Sequence, residues 1–175
     1  MPKQPVLFAI GHSNRQVRDL LDMLQAHGVK CLVDIRTFPR SRHNPQFNEG
    51  NLRVMLRKRG IGYVHLGELG GLRKARKDSV NTGWRNASFR GFADYMQTGE
   101  FVAGLKRLTQ LAGKRTVAMM CAEGNPFRCH RSLVADALSI RGAKVYHITS
   151  RSGSREHVIT GFARVKGRKI TYPGG

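Results

Sequence analysis

The hydrophobic residues of this chain fall into short continuous runs that alternate with stretches of helical periodicity. Continuous apolar runs predict five buried strands, at 5–10, 30–36, 61–66, 116–120 and 144–148. Between these runs, apolar residues recur every three or four positions, which predicts helices in 15–27, 52–60, 92–113 and 132–142. Strands without polar alternation are typical of a parallel sheet that is covered on both faces.

This alternation predicts an α/β fold: an open, mostly parallel sheet of about five strands with helices on both faces, Rossmann-like in the broad sense. The predicted single domain spans 1–150. A chain of 175 residues is too short for an eight-unit barrel, which needs roughly 250. Residues 67–90 show no sustained periodicity and are expected to form a loop. The basic tail, 151–175, is expected to form a hairpin about Lys166-Gly167 or to remain mobile.

The composition favours a folded cytoplasmic protein. Hydrophobic residues make up 40% of the chain, and no apolar run approaches the roughly 20 residues that span a bilayer. The first residues lack the pattern of a signal peptide, and three cysteines, an odd number, argue against a disulfide framework. We predict no membrane association and no cofactor. The sequence makes no prediction of oligomeric state.

The charge is strongly positive. Lys and Arg number 31 against 11 Asp and Glu, for a formal net charge of +20, and 21 of the 31 cations are Arg. The planar guanidinium group suits phosphate, so we expect an anionic small molecule or nucleic acid as the partner. The alternative is an Arg-rich but ordinary solvated surface, because basic charge also serves solubility.

Polar residues follow the predicted strands where ligands of open parallel sheets collect, beyond the carboxyl ends. We expect these segments to meet at one edge of the sheet. The candidate catalytic residues are His12, Asp34, Cys121, Glu123 and His130. The candidate anion-binding residues are Ser13, Asn14, Arg36, Arg40, Arg128 and Arg131.

The stretch CAEGNPFRCHRS, residues 121–132, carries two of the three cysteines. Nearby cations or a helix N-terminus would lower the pKa of a thiol here. The stretch resembles the anion-binding loops of tyrosine phosphatases and rhodaneses. However, six residues separate Cys121 from Arg128, which departs from the phosphatase spacing, and Pro126 removes an amide.

Two alternatives for the cysteines stay open. Cys121 and Cys129 could be buried packing residues. They could also bind zinc together with His130, in which case Asp34 or His12 would have to supply the fourth ligand. We predict no metal site, because the spacing contains no CxxC pair.

A second group of residues suits single-stranded nucleic acid, because cations and aromatic rings are interleaved. Its members are Arg42, Arg73, Lys74, Arg76, Lys77, Trp84 and Arg85. Alternatively, Trp84 and Phe89 plug the core beneath a long loop. The chain has no helix-turn-helix, RNP strand or zinc-finger spacing, so any binding is expected to be independent of base sequence.

Four segments together resemble the bacterial and archaeal family known as domain of unknown function 488: IGHSNR at 10–15, LVDIRTFPRSRHNPQFN at 32–48, YVHLGELGG at 63–71 and CAEGNPFRCHRSLVADAL at 121–138. The resemblance covers about residues 6–150 and implies an intracellular α/β domain without implying a reaction. On this likeness, the CAE and CHR signatures comprise Cys121, Glu123, Cys129, His130 and Arg131. The strand-end motifs comprise His12, Asp34, Arg36 and Pro39.

These observations favour an enzyme that uses Cys, His and Arg on an anionic, phosphate-containing substrate, possibly a nucleotide or nucleic acid. Cys121 would be the nucleophile or redox thiol, and His12 or His130 would move protons. Arg36 and Arg131 would hold phosphate, while Asp34 or Glu123 would orient a histidine. The alternative function is a nucleic-acid-binding module with structural cysteines.

Overall fold

The computed structural model describes residues 3–174, which form a six-stranded sheet, five α-helices and a separate two-stranded hairpin. The strands of the sheet are β1 (Val6–Gly11), β2 (Cys31–Asp34), β3 (Gly62–His65), β4 (Val117–Cys121), β5 (Lys144–Ile148) and β6 (Ser154–Glu156). The helices are α1 (Val17–Ala26), α2 (Glu49–Lys58), α3 (Ala87–Tyr95), α4 (Gly99–Lys114) and α5 (Arg131–Ser139). The hairpin comprises β7 (Arg164–Lys166) and β8 (Lys169–Thr171).

The sheet has the order β3-β2-β4-β1-β5-β6, and only β6 runs antiparallel to its neighbour. The predicted single-domain α/β fold with a mostly parallel sheet is therefore confirmed. In the described part of the chain, none of the helices is both long and apolar enough to cross a membrane.

The two faces of the sheet are covered by different helices. Met119 on β4 belongs to the core cluster formed with α3, α4 and α5. Its neighbour Met120 points to the opposite cluster, formed with α1 and α2. Because successive strand residues face opposite sides, a strand covered on both sides must be apolar at every position. Residues 117–121 of β4 are accordingly all buried.

The chain leaves β1 and β4 in opposite directions. From β1 it crosses one face through α1 to reach β2, whereas from β4 it crosses the other face through α5 to reach β5. The loops that follow these two adjacent strands therefore diverge and leave a crevice at the carboxyl edge. Such a switch point is where open α/β sheets bind ligands.

Two elements differ from the sequence prediction. Helix α3 begins at Ala87, inside the segment 67–90 that was expected to be a loop, because Asn86 caps it by accepting hydrogen bonds from the amides of Ser88 and Phe89. Strand β6 lies in the predicted tail and was missed, since its three residues are all exposed and give no hydrophobic signal. The hairpin expected about Lys166-Gly167 is present, with Gly167 at a φ of +61°.

The C-terminal segment is bound to α5 through the fully buried carboxylate of Asp136. Asp136 accepts hydrogen bonds from His157 Nε2 at 2.7 Å and from the Tyr172 hydroxyl at 2.8 Å. The Thr160 amide and hydroxyl donate to it at 3.1 and 2.7 Å. Four donors compensate the loss of water around this buried charge.

Replacing Tyr172 by Phe is expected to lower the free energy of unfolding by about 1–3 kcal/mol, because Asp136 loses one donor in a dry environment. Urea denaturation measures the change. The matched control is Tyr146→Phe, which alters a half-buried tyrosine of β5 that does not contact Asp136. Equal effects of the two substitutions would contradict the role assigned to the Asp136 cluster.

Candidate functional site

A cavity of about 380 Å³ lies at the carboxyl edge of the sheet, between the loops after β2 and β4 and the start of α3. We call it the thiol pocket. Its walls include Arg36, Arg40, Phe92, Cys121, Glu123, Arg128, Cys129 and His130. The structure thus brings together side chains that are far apart in sequence, as the parallel strand ends imply.

The loop after β4 is held tightly against the end of β1. The amides of His12 and Ser13 donate to the carbonyls of Cys121 and Ala122 at 3.0 and 2.9 Å, which extends the ladder beyond the strands. Gly11 makes this approach possible, because a Cβ at that position would overlap the carbonyl of Glu123.

The two thiols of the loop are buried, and each influences the ionisation of the other. Cys121 Sγ donates to the carbonyl of Glu123 at 3.4 Å. Cys121 ends β4, and Cys129 precedes α5, where its Sγ accepts the amide of Arg131 at 3.4 Å as a helix cap does. Burial opposes ionisation of Cys121, but the hydrogen bond from Cys129 and the charge of Arg131 outweigh burial and lower the pKa of the Cys121 thiol. The hydrogen bond to Cys121 and burial raise the pKa of Cys129. Cys121 is therefore the thiol that ionises first.

His130 contacts the second thiol. Its Nε2 donates to the carbonyl of Ile35 at 3.0 Å, so its Nδ1 is left as an acceptor, 3.5 Å from Cys129 Sγ. Burial and, to a smaller extent, the charge of Arg131 contribute to lowering the pKa of His130 to about 4. At neutral pH this histidine is an uncharged acceptor for the Cys129 proton.

Arg131 is 1% exposed, which is unusual for an arginine. Its Nη2 donates to the carbonyl of Gly124 at 3.2 Å, while its Nε is buried without a hydrogen-bond partner. No acidic side chain within residues 3–174 forms a salt bridge with it. An uncompensated buried cation costs several kcal/mol, so Arg131 strongly favours negative charge beside it.

Asp34 and Arg36 pair with each other beneath the pocket. Arg36 donates to the two carboxylate oxygens of Asp34 through Nε at 2.9 Å and Nη2 at 2.7 Å, and the Tyr63 hydroxyl donates at 2.6 Å. Asp34 is fully buried. It therefore does not orient a histidine, and its contacts are those of a buried structural ion pair.

His12 also belongs to this framework. Its Nδ1 donates to the Ser13 carbonyl at 2.7 Å, its Nε2 accepts from Arg36 Nη1 at 3.4 Å, and its ring stacks on Phe47. Burial lowers the pKa of His12 and keeps the ring neutral. With both nitrogens bonded and 1% of the residue exposed, His12 is not placed to move substrate protons.

Of the remaining candidate site residues, some line the thiol pocket and others lie outside it. Arg40 and Arg128 are exposed at its rim. Glu123 accepts the amide of Asn125 at 3.1 Å and orients no histidine. Ser13 and Asn14 hydrogen-bond each other at 3.4 Å and do not line the cavity.

The amides of the loop are largely bonded within the loop. Those of Asn125, Phe127, Arg128 and Cys129 donate to loop acceptors. A cradle of free amides like that of a tyrosine phosphatase is therefore not formed there. An anion in the thiol pocket would have to be held by arginine side chains instead.

The candidate nucleic-acid residues do not form one uniform surface. Arg42, Lys74, Lys77 and Arg85 are exposed, Arg76 pairs with Asp78, and Arg73 lies 3.7 Å from the centre of the Tyr95 ring. The Trp84 ring packs against three other aromatic rings, those of Phe89, Phe162 and Tyr172. These contacts match the alternative in which Trp84 fills space beneath the loop, rather than a platform for bases.

Sequence reasoning missed a chain of three side chains on the other side of the loop. His147 Nε2 lies 2.9 Å from His157 Nδ1, and His157 Nε2 lies 2.7 Å from Asp136. His147 was visible as a polar residue near the end of the fifth strand, but nothing in the sequence linked it to His157 or Asp136. In the described residues, no group of three or more His, Cys, Asp or Glu side chains is arranged to hold a metal ion.

Fold and site together define an α/β protein with a pair of thiols at the switch point of a parallel sheet. The chain belongs to the family described as Domain of unknown function DUF488, whose model matches residues 16–138. That range includes Asp34, Arg36 and the whole loop from Cys121 to Arg131, and it ends before His147. No curated protein and no solved structure matches this chain.

Mild oxidation with diamide is expected to form one intramolecular disulfide, between Cys121 and Cys129, because these two thiols lie in one loop and influence each other's pKa. Cys31 begins β2, at the opposite edge of the sheet, and should remain free. Peptide mapping by mass spectrometry identifies the bond, with Cys31→Ser as the matched control. A disulfide that involves Cys31, or none after full oxidation, would show that the two thiols are not neighbours.

Proposed function

We propose that this protein is a thiol-dependent enzyme that acts on a small, phosphate-containing substrate in the thiol pocket, with Cys121 as the nucleophile. The observation that carries this proposal is the pair of buried, mutually interacting thiols beside the buried, uncompensated charge of Arg131. Structural cysteines need neither an adjacent guanidinium nor an open cavity.

The reactive form is the Cys121 thiolate. Arg131 is shielded from water, so its attraction for a thiolate is weakly screened. Cys129 donates a hydrogen bond to that thiolate, and the amide of Arg131 holds Cys129 in place. At Cys31 burial outweighs the charge of Arg115 and raises the pKa of the thiol.

The proposed first step is attack by the Cys121 thiolate on a substrate atom that carries a leaving group. The new bond to sulfur forms as the leaving group departs with its electron pair and takes the proton of Cys129. Water then hydrolyses the covalent adduct, which releases the product with the water oxygen and returns a proton to Cys129. The net reaction is hydrolysis. When the Cys129 thiol turns away from Cys121, it donates a hydrogen bond to His130 Nδ1 instead.

The phosphate of the substrate would be bound at the rim by Arg40 and Arg128, which are exposed. Arg36 is a poorer candidate than the sequence suggested, because Asp34 and the carbonyl of Phe47 already take its Nε and Nη2. In this proposal Arg36 and Asp34 support the floor of the pocket.

Alkylation by iodoacetamide tests the nucleophile. Cys121 is expected to react with an apparent pKa below the ~8.5 of free cysteine, whereas Cys31 should react with one above it. Arg131→Met removes the charge and should raise the pKa of Cys121, which slows alkylation near pH 7. Rates at each cysteine are followed by mass spectrometry over a pH series.

Cys121→Ser should abolish hydrolysis in a screen of organic phosphates, while Cys31→Ser leaves it unchanged. The thiol mechanism is wrong if Cys121 alkylates with an ordinary pKa in both the parent protein and Arg131→Met. Activity retained by Cys121→Ser would also contradict it.

A second candidate function is binding of nucleic acid without base specificity, which the net charge of +20 favours. The exposed cations Lys74, Lys77 and Arg85 would contact phosphates. Trp84 would contribute packing only, because its ring is enclosed by other aromatic residues.

Affinity for a single-stranded oligonucleotide should fall with salt, and replacing Lys74, Lys77 and Arg85 together by Gln should flatten the log–log slope by about 2. Fluorescence anisotropy at several salt concentrations measures this slope. The charge-matched control replaces Lys58, Lys106 and Lys114, which are exposed on α2 and α4, by Gln. Equal slopes for the two triple variants would show that binding depends on the overall charge of the protein, and would contradict a binding surface formed by Lys74, Lys77 and Arg85.

A further inference from the structure

A second cavity, of about 450 Å³, lies on the other side of the Cys121–Arg131 loop. We call it the histidine pocket. It is bounded by the loop, the end of β5, and the β6 strand with the residues that follow it. Its polar wall carries three arginines, two histidines and one acid: Arg15, Arg131, Arg155, His147, His157 and Glu156.

The two histidines of this pocket form a relay that ends on Asp136. Asp136 accepts from four groups, so His157 Nε2 carries a hydrogen and donates to it. When His157 is neutral, its Nδ1 is an acceptor, and the hydrogen in the 2.9 Å contact belongs to His147 Nε2. A neutral His147 then has a lone pair on Nδ1.

Two polar atoms at this wall are left without partners. His147 Nδ1 and Arg131 Nε are both buried, and neither forms a hydrogen bond with another described residue. Their residues are 6% and 1% exposed. One atom is an acceptor and the other a cationic donor, and leaving either one buried without a partner is unfavourable. A ligand that both accepts and donates would satisfy the two together.

We propose that the histidine pocket binds an organic phosphate monoester, with one phosphate oxygen accepting from Arg131 Nε and a second sharing its proton with His147 Nδ1. Arg15 and Arg155 would neutralise the remaining charge of the phosphate. The cavity is larger than a phosphate group, and Phe127, Ile148 and Val158 give it apolar wall for the organic part.

The relay explains how the shared proton would be accommodated. Burial and the nearby charge of Arg131 contribute to lowering the pKa of His147 to about 3, so His147 is a poor place to keep a positive charge. If Nδ1 takes the phosphate proton, Nε2 can pass its own hydrogen to His157 Nδ1. The charge then resides on His157, whose Nε2 is 2.7 Å from the carboxylate of Asp136.

The groups around the relay determine its pH dependence. They are Arg131 and Asp136 on α5, Arg155 and Glu156 on β6, Arg15 after β1, and Tyr172. Free phosphate monoesters lose their second proton near pH 6. Binding should therefore take up about one proton from the buffer at pH 8 and none at pH 5, because the complex retains one shared proton at both pH values.

Calorimetric titration tests the site with ribose 5-phosphate, with ribose and inorganic phosphate as the separate halves of that ligand. The parent protein should bind ribose 5-phosphate and bind either half more weakly. His147→Phe should weaken the binding of ribose 5-phosphate roughly tenfold or more, as expected for one lost hydrogen bond to a charged group.

Titrations at pH 8 in two buffers of different ionisation enthalpy should show the proton uptake, and His157→Gln should abolish that uptake.

Cys121→Ser separates this site from the thiol pocket, since saturable binding of ribose 5-phosphate should persist in this variant. If Cys121 proves unreactive and binding persists, the enzyme proposal fails and this inference stands.

Nitrogen NMR of the histidines in the parent protein provides a test without a core substitution. The chemical shift of His147 Nδ1 should move toward that of a protonated ring nitrogen when ribose 5-phosphate is added. No saturable binding, or binding with His147 Nδ1 unmoved, would overturn the proposal.

Discussion

The site depends on one buried positive charge. Arg131 begins α5 beneath the loop that connects the centre of the sheet to that helix, and no acidic side chain of residues 3–174 forms an ion pair with it. Its charge lowers the pKa of the Cys121 thiol on one side and the pKa of His147 on the other. In our proposals this one guanidinium favours a thiolate in the thiol pocket and a bound anion in the histidine pocket.

The topology explains why the charge is located there. Strands β1 and β4 are neighbours in the middle of the sheet, and their loops leave over opposite faces. The crevice that results can hold polar groups away from water, because both flanking layers are apolar. Gly11 lets the loop approach the end of β1 closely, and the Asp34–Arg36 pair supports its floor. A reactive thiol must be held in a fixed position, and rigid elements of this kind provide that support.

The fold was predictable because each central strand is apolar on both faces, and hydrophobic runs report such strands directly. The meeting of Cys121 with residues of the other strand ends also followed, since parallel strands end at one edge. The roles of individual residues were harder to predict. The sequence suggested that His12 or His130 would move protons. In the fold, however, both ring nitrogens of His12 are hydrogen-bonded, one to Ser13 and the other to Arg36. The relay was missed because β6, which places His157 beside His147, has no hydrophobic residue to mark it.

The central claim is that the buried charge of Arg131, together with Cys129, lowers the pKa of the Cys121 thiol despite its burial. Ultraviolet absorbance of the thiolate, recorded against pH as the difference between the parent protein and Cys121→Ser, measures this ionisation without any reagent entering the pocket. The account predicts a midpoint below the ~8.5 of free cysteine, and a higher midpoint when the same difference is taken in an Arg131→Met background. A midpoint at or above that of free cysteine, unaffected by removing the arginine, would contradict it.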